Sequence, residues 1–122
     1  MKTFQDLLVW KKAHEITLDI YRTSRGFPQD EKFGMMSQIR RSASSIPTNI
    51  VEGFKRKSQK DFAHFLNVAD VFLEETKYHL ILARDLEYLS RTDYKRLCGS
   101  CDEVGRMLCG LQKKVAGNVS EK

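Results

Sequence analysis

The sequence predicts an all-α protein, an antiparallel up-and-down four-helix bundle whose second helix is kinked at Pro47. Three observations carry that prediction. Four long stretches repeat apolar residues at alternating spacings of three and four, the pattern of a helix with one packing face. Only two prolines and seven glycines interrupt the 122 residues, so little breaks the helices. Short polar links with capping sequences separate the four stretches, as antiparallel neighbours require. No strand-like alternation, internal repeat or low-complexity segment competes with this reading.

The first helix is expected from about Gln5 to Arg25, with Val9, Ala13, Ile16 and Ile20 as its seam and Gly26 as a left-handed residue that ends it. Phe27 and Pro28 then turn the chain. Asp30 is the expected cap of helix two, with Glu31 where the helix dipole favours negative charge. In helix two, Met36, Ile39, Ala43, Ile46, Ile50 and Gly53 form the seam. Pro47 removes the amide that would bond to the carbonyl of Ala43, at a cost of about 3 kcal/mol in a helix interior, so a kink is expected near Ser44. The seam stays in phase through Ile46 and Ile50, which favours one bent helix over two short ones, although Ser45 could cap a restart.

Ser58 and Asp61 resemble a capping box that starts helix three near Gln59. Its seam is Phe62, Leu66, Ala69, Leu73, Thr76, Leu80 and Ala83. Val68, Val71, Phe72, Tyr78, Leu82 and Leu86 widen the apolar arc well beyond the roughly 100° that a surface helix needs. That excess predicts a second buried surface, a contact between identical subunits. Ser90 and Asp93 repeat the capping pattern, and helix four carries Tyr94, Leu97, Cys101, Val104, Leu108, Leu111 and Val115. Gly99, Gly105 and Gly110 weaken this helix unless close packing needs them.

The chain is long enough for one sizeable core and too short for two. We expect a single bundle over residues 1–117 and a disordered tail over 118–122. With 41% hydrophobic and 30% charged residues, the composition fits a soluble helical protein better than a disordered one. No apolar run approaches the ~20 residues that span a bilayer, and the start MKTFQDLLVW lacks the long apolar region of a signal peptide, so the expected location is the cytoplasm, with no membrane partner. The formal charge of +5 permits a polyanionic partner.

Chemistry of the enzymatic kind finds little support. Di-iron bundles need Glu-x-x-His pairs converging on one core, and none occurs; His14, His64 and His79 are dispersed. The expected Glu75 and His79 pairing is a surface contact. Three cysteines leave one unmatched, and Cys98, Cys101 and Cys109 lie on nearly the same helical face, where buried, inert thiols are expected. The connection GFKRKS lacks the phosphate-loop pattern. No catalytic residue, metal, cofactor or small-molecule substrate is therefore expected.

The basic residues remain. Arg40, Arg41, Lys55, Arg56, Lys57 and Lys60 face the single carboxylate Glu52 over their interval, and such groups neutralise phosphates of RNA or DNA. Exposed aromatics are not interleaved with them, which weakens a single-strand stacking platform. A polar stripe, Ser42, Ser45, Asn49, Glu52 and Arg56, runs beside the seam of helix two.

The motifs Asp6-Leu7-x-Val9-Trp10-x-x-Ala13, Phe27-Pro28-x-x-Glu31, Gln38-x-Arg40-Arg41-x-Ala43-x-Ser45-Ile46-x-x-Asn49-Ile50-x-Glu52-Gly53 and Phe62-x-x-Phe65-Leu66-x-x-Ala69 fall within residues 6–69 and belong to a match over nearly the whole chain, of which the middle motif is the specific part. They resemble the bacterial four-helix-bundle family encoded in intervening sequences of 23S ribosomal RNA genes, also called ribosomal-protein-like. The resemblance implies an up-and-down bundle that assembles as a cyclic homopentamer, and a distant relative serves a retroelement reverse transcriptase and binds nucleic acid. It also marks Gln38, Arg40, Arg41, Ser45, Asn49, Glu52 and Arg56 as a polar signature of helix two, serving a ligand, a subunit contact or the bend. Val71 and Phe72 depart from the small Gly-Ser pair usual in the family. The resulting expectation is a non-catalytic homo-oligomer that contacts nucleic-acid backbone, against a structural or protein-interaction module with no nucleic-acid role. The subunit contact is expected at Val68, Val71, Phe72, Tyr78 and Leu82.

Overall fold

The structure, a computed structural model, describes the backbone of residues 2–120 and the side chains of residues 2–117. Four helices account for most of it: α1 (Leu8–Ser24), α2 (Met35–Lys55), α3 (Gln59–Asp85) and α4 (Arg91–Ser120). Each packs on two neighbours, α1 on α2 and α4, and α3 on α2 and α4, so the four form a closed square around one core. The tail expected over 118–122 falls on residues whose side chains lie outside the described ones. For residues 121–122 the backbone does too.

The predicted seams meet at the centre. Ile20, Ile39, Ile46, Ile50, Leu66, Leu73, Leu80, Leu97, Val104 and Leu108 are fully buried. Ala13, Ala43, Ala69 and Ala83 sit among them without exposure, small enough to let the helix axes approach. Gly53 marks a close crossing: a β-carbon there would stand 2.9 Å from Cβ of Phe65 and 3.3 Å from the Phe62 carbonyl oxygen. The last turn of α2 therefore rests directly on the first turns of α3.

Helix ends follow local chemistry, and in three places this differs from the sequence expectation. Helix α1 begins at Leu8 rather than Gln5, because Phe4–Asp6 forms a separate 3-10 turn. The Asp6 carboxylate accepts the amides of Lys2 and Thr3 at 3.0 and 3.1 Å, and those bonds hold its pKa below the usual range. Gly26 is not left-handed. Instead Arg25, Gly26 and Phe27 donate in succession to the carbonyls of Arg22, Thr23 and Ser24, so the last acceptors of α1 are met by tighter i to i−3 bonds. Helix α2 starts at Met35, not beside Asp30. Glu31 caps it from the preceding 3-10 turn, accepting the Met35 amide at 3.2 Å and the Tyr88 hydroxyl at 3.0 Å.

The two capping serines behave as the sequence predicts. Ser58 accepts from the Asp61 amide at 3.1 Å and Ser90 from the Asp93 amide at 3.0 Å. At the other end of α3, Tyr88 donates to the Ala83 carbonyl and Glu87 to that of Arg84. This is the double bond of a Schellman motif, and it holds Glu87 at φ 63°, a conformation that glycine ordinarily fills.

Helix α2 runs unbroken through the buried Pro47, with no restart at Ser45. The Ala43 carbonyl, deprived of its helical amide, accepts instead from Thr17 Oγ1 of α1 at 3.2 Å. Thr17 shares its single proton with the Ala13 carbonyl at 2.9 Å.

Candidate nucleic-acid interface

The six basic residues do not form one cluster. Arg41 and Lys55 lie on one helix about 21 Å apart by its rise. The structure resolves the basic residues into a group at the α2–α3 turn and a pair in the first half of α2.

At the turn, Lys55, Lys57 and Lys60 are exposed and make no hydrogen bond or ion pair among the described residues. Arg56 is more committed. Its guanidinium lies 4.7 Å from the Phe65 ring centroid and 3.5 Å from Glu52 Oε2, and both contacts fix it over the α2–α3 crossing. Antiparallel packing brings the last turns of α4 to the same end, where Lys113 and Lys114 are also exposed. Sequence reading missed these two, since only the packing of α3 on α4 brings them toward the end of the bundle that holds the turn.

In the first half of α2, Arg40 is structural. It donates through Nε to Ser24 Oγ at 2.8 Å and through a terminal nitrogen to the Tyr21 carbonyl at 3.0 Å, with its guanidinium 4.7 Å from the Tyr21 ring centroid. It therefore ties α2 to the end of α1. Arg41, one residue on, points to solvent and has no partner among the described residues.

Much of the polar stripe serves the helix itself. Ser45 donates to the Arg41 carbonyl and Asn49 to the Ser45 carbonyl, each at 2.7 Å, on the turns flanking Pro47. Ser44 and Thr48 donate in the same way, to the carbonyls of Arg41 and Ser44. Their acceptors flank the Ala43 carbonyl that Pro47 leaves without an amide, and side-chain bonds back to the preceding turn favour a bend there. Gln38 instead stays exposed above the groove between α2 and α3.

Ser42 turns inward. Its hydroxyl stands 3.2 Å from His79 Nδ1, 3.0 Å from Thr76 Oγ1 and 3.1 Å from the Ile39 carbonyl, and Thr76 also donates to the Phe72 carbonyl at 2.8 Å. His79 is thus a buried partner of Ser42 rather than the surface partner of Glu75. Burial lowers its pKa, with the Glu75 charge pulling weakly the other way. This network fastens α2 to α3 and presents no nucleophile, because Ser42 is only 2% exposed.

The expected subunit contact divides as well. Val71 and Tyr78 are each 58% exposed, while Phe72 and Leu82 pack partly onto the core and Val68 is half-buried. Ile81 and Leu86 join the exposed set. The cysteines also differ from expectation. Cys101 is buried, and burial pushes its thiol up to about 12, but Cys98 is half-buried and Cys109 is exposed. Their shared face is broader than the core it borders. Among the described residues, no three His, Cys, Asp or Glu side chains come together as a metal site would require, and no helix is long and apolar enough to cross a membrane.

The model of the family described as 23S rRNA-intervening sequence protein matches residues 5–110. Among solved structures, the chain is similar to a protein of unknown function from the S23 ribosomal protein family of Bacteroides thetaiotaomicron. The two share 31% identity and a TM-score of 0.78, over 87% of this chain and 99% of that one. No curated protein matches the sequence.

Proposed function

We propose, from the premise that this chain belongs to the 23S rRNA-intervening sequence protein family, that it is a non-catalytic, self-associating bundle that grips nucleic-acid phosphates with its basic end. One observation carries the reading: Lys55, Lys57 and Lys60 project from a single turn with no partner among the described residues. Unpaired ammonium groups grouped in this way are free to replace the counterions condensed on a polyanion. Lys113 and Lys114, exposed toward the end of α4, add positive charge at the same end of the bundle. The family is described by an intervening sequence of 23S rRNA, and structured RNA is the first polyanion to test.

Self-association is supported by the outward face of α3, where Val71, Tyr78, Ile81 and Leu86 are exposed. A second copy would take these side chains out of water.

The binding test titrates labelled structured RNA and duplex DNA against the protein at several salt concentrations, using wild type and a triple variant with Lys55, Lys57 and Lys60 changed to Ala. Wild type should show a steep salt dependence. The triple variant should lose about two to three from the slope of log K against log salt on duplex, near 0.9 per phosphate contact. Absence of wild-type binding at low salt, or an unchanged slope in the variant, contradicts the reading. Light scattering tests assembly: the mass should be a multiple of 14.2 kDa and fall to one copy when Val71 and Tyr78 become Glu. A wild-type monomer at micromolar concentration rules out self-association.

A further inference from the structure

Phe33 is the most exposed large apolar side chain described, at 90%. It lies in no helical seam, between the 3-10 turn Gln29–Glu31 and the start of α2. An aromatic ring in water has lost the stabilisation of burial, and here its surroundings indicate what would cover it.

Two grooves meet at Phe33. The one toward α1, about 500 Å³, is lined by Tyr21, Lys32, Ser37, Arg40 and Arg41 among others, with no carboxylate. The one toward α3, about 420 Å³, shares Ser37 and Arg41 with it and adds Gln38, Ser42, Phe72 and the carboxylate of Glu75, without Lys32 or Arg40. The Lys32 ammonium lies 5.6 Å from the Phe33 ring centroid. Arg41 is exposed and unpaired among the described residues, and Arg40 keeps its charge fixed on the groove wall through its bonds to α1. The α1-side groove thus combines a bare ring, three cations and the hydroxyls of Ser37 and Ser44.

From this geometry we infer that the groove between α1 and α2 at Phe33 is a single-strand subsite, where an unpaired nucleobase stacks on the Phe33 ring and Lys32 and Arg41 hold the flanking phosphates. Stacking on an exposed ring tolerates any base, and the cations follow the backbone. The ring also sets the substrate class, because the paired bases of a duplex are already stacked on one another. The α3-side groove is disfavoured by Glu75, whose charge would repel a phosphate. This inference rests on the nucleic-acid reading above and narrows it to strands with unpaired segments.

The test uses the full chain and a labelled, unstructured RNA of about twelve nucleotides, with a duplex of matching phosphate number as the second probe. Phe33 is changed to Ala, Leu and Trp, and the Lys55, Lys57 and Lys60 triple variant is run beside them. Phe33→Ala and Phe33→Leu should weaken single-strand binding about 5- to 100-fold and leave duplex binding unchanged, while Phe33→Trp retains it. Equal single-strand affinity for wild type and Phe33→Ala overturns the subsite while the basic-end reading stands. Retention by Phe33→Leu also overturns it, since a merely greasy contact would then suffice. Absence of wild-type binding to both probes overturns both readings. If Phe33→Ala lowers the mass seen by light scattering and leaves single-strand affinity unchanged, the ring is a subunit contact and the subsite is overturned.

Discussion

The Thr17 hydroxyl of α1 donates to the carbonyl oxygen of Ala43 in α2 at 3.2 Å, the acceptor that Pro47 leaves without an amide. A proline inside a buried helix would otherwise strand a polar oxygen in the core. Here the neighbouring helix supplies the donor, and the defect becomes an inter-helix tie. Thr17→Val keeps the shape and removes the donor, so it should cost about 1–3 kcal/mol, the penalty for an unsatisfied buried group. In a double-mutant cycle read by urea unfolding at fixed protein concentration, the penalty should shrink when Pro47 is changed to Ala. Equal penalties in both backgrounds would dissociate Thr17 from the proline.

The glycines separate into two kinds. A β-carbon at Gly99 or Gly110 meets nothing within 4 Å, so Gly99→Ala and Gly110→Ala should each stabilise α4 by about 0.5–1 kcal/mol. At Gly53 the same methyl group would press on Phe65 and on the Phe62 backbone, and Gly53→Ala should destabilise by about 1–3 kcal/mol. Unfolding midpoints should therefore move in opposite directions for the same chemical change.

Glu87 holds φ 63° at the end of α3. Glu87→Gly should raise stability by about 0.5–1 kcal/mol, since glycine adopts this conformation without a clash at Cβ. Glu87→Val, branched at that carbon, should lower it. Thermal melts of both variants check the sign.

His79 gives a pH dependence. Burial lowers its folded pKa below the ordinary 6.5, so the unfolded chain takes up its proton first as pH falls. Its contribution is present above that value and is lost as pH drops through it toward the folded pKa. A second loss should follow below the ordinary 3.8 of Asp19, whose carboxylate is held lower by Arg96, bonded at 2.9 and 3.0 Å. Unfolding measured between about pH 5 and 8 should show the first loss in wild type and a flatter profile in His79→Gln. An equal slope in the variant would assign that window to other groups.

Much of the fold was legible because it rests on local rules. The three-four spacing placed Leu66, Leu73, Leu80, Leu97 and Leu108 in the core, and the two capping serines stand where a Ser-x-x-Asp pattern puts them. Helix ends fixed by non-local partners were less legible. Glu31 caps α2 across an intervening turn, and its carboxylate is also engaged by Tyr88 from the link between α3 and α4. The candidate site was legible in residue type and misjudged in grouping. Charge density along the chain joined Arg40 to Lys57, but helical rise separates them, and Arg40 spends its donors on Ser24 and Tyr21. Phe33 went unnoticed although it carries a signal, an aromatic residue outside every seam and directly after a lysine.

By itself, the sequence determined which residues turn inward, because helical periodicity and capping act between residues a few positions apart. The tertiary structure decided which polar groups are free. Thr17 meets Ala43, Ser42 meets His79 and Arg40 meets Tyr21 only after helices distant in sequence are packed side by side. Hydrogen bonds and ion pairs depend on distances of about 3 Å, and chain order does not fix those. The same packing leaves Lys55, Lys57, Lys60 and Phe33 without a cover, and these are the residues on which the proposed contacts rest.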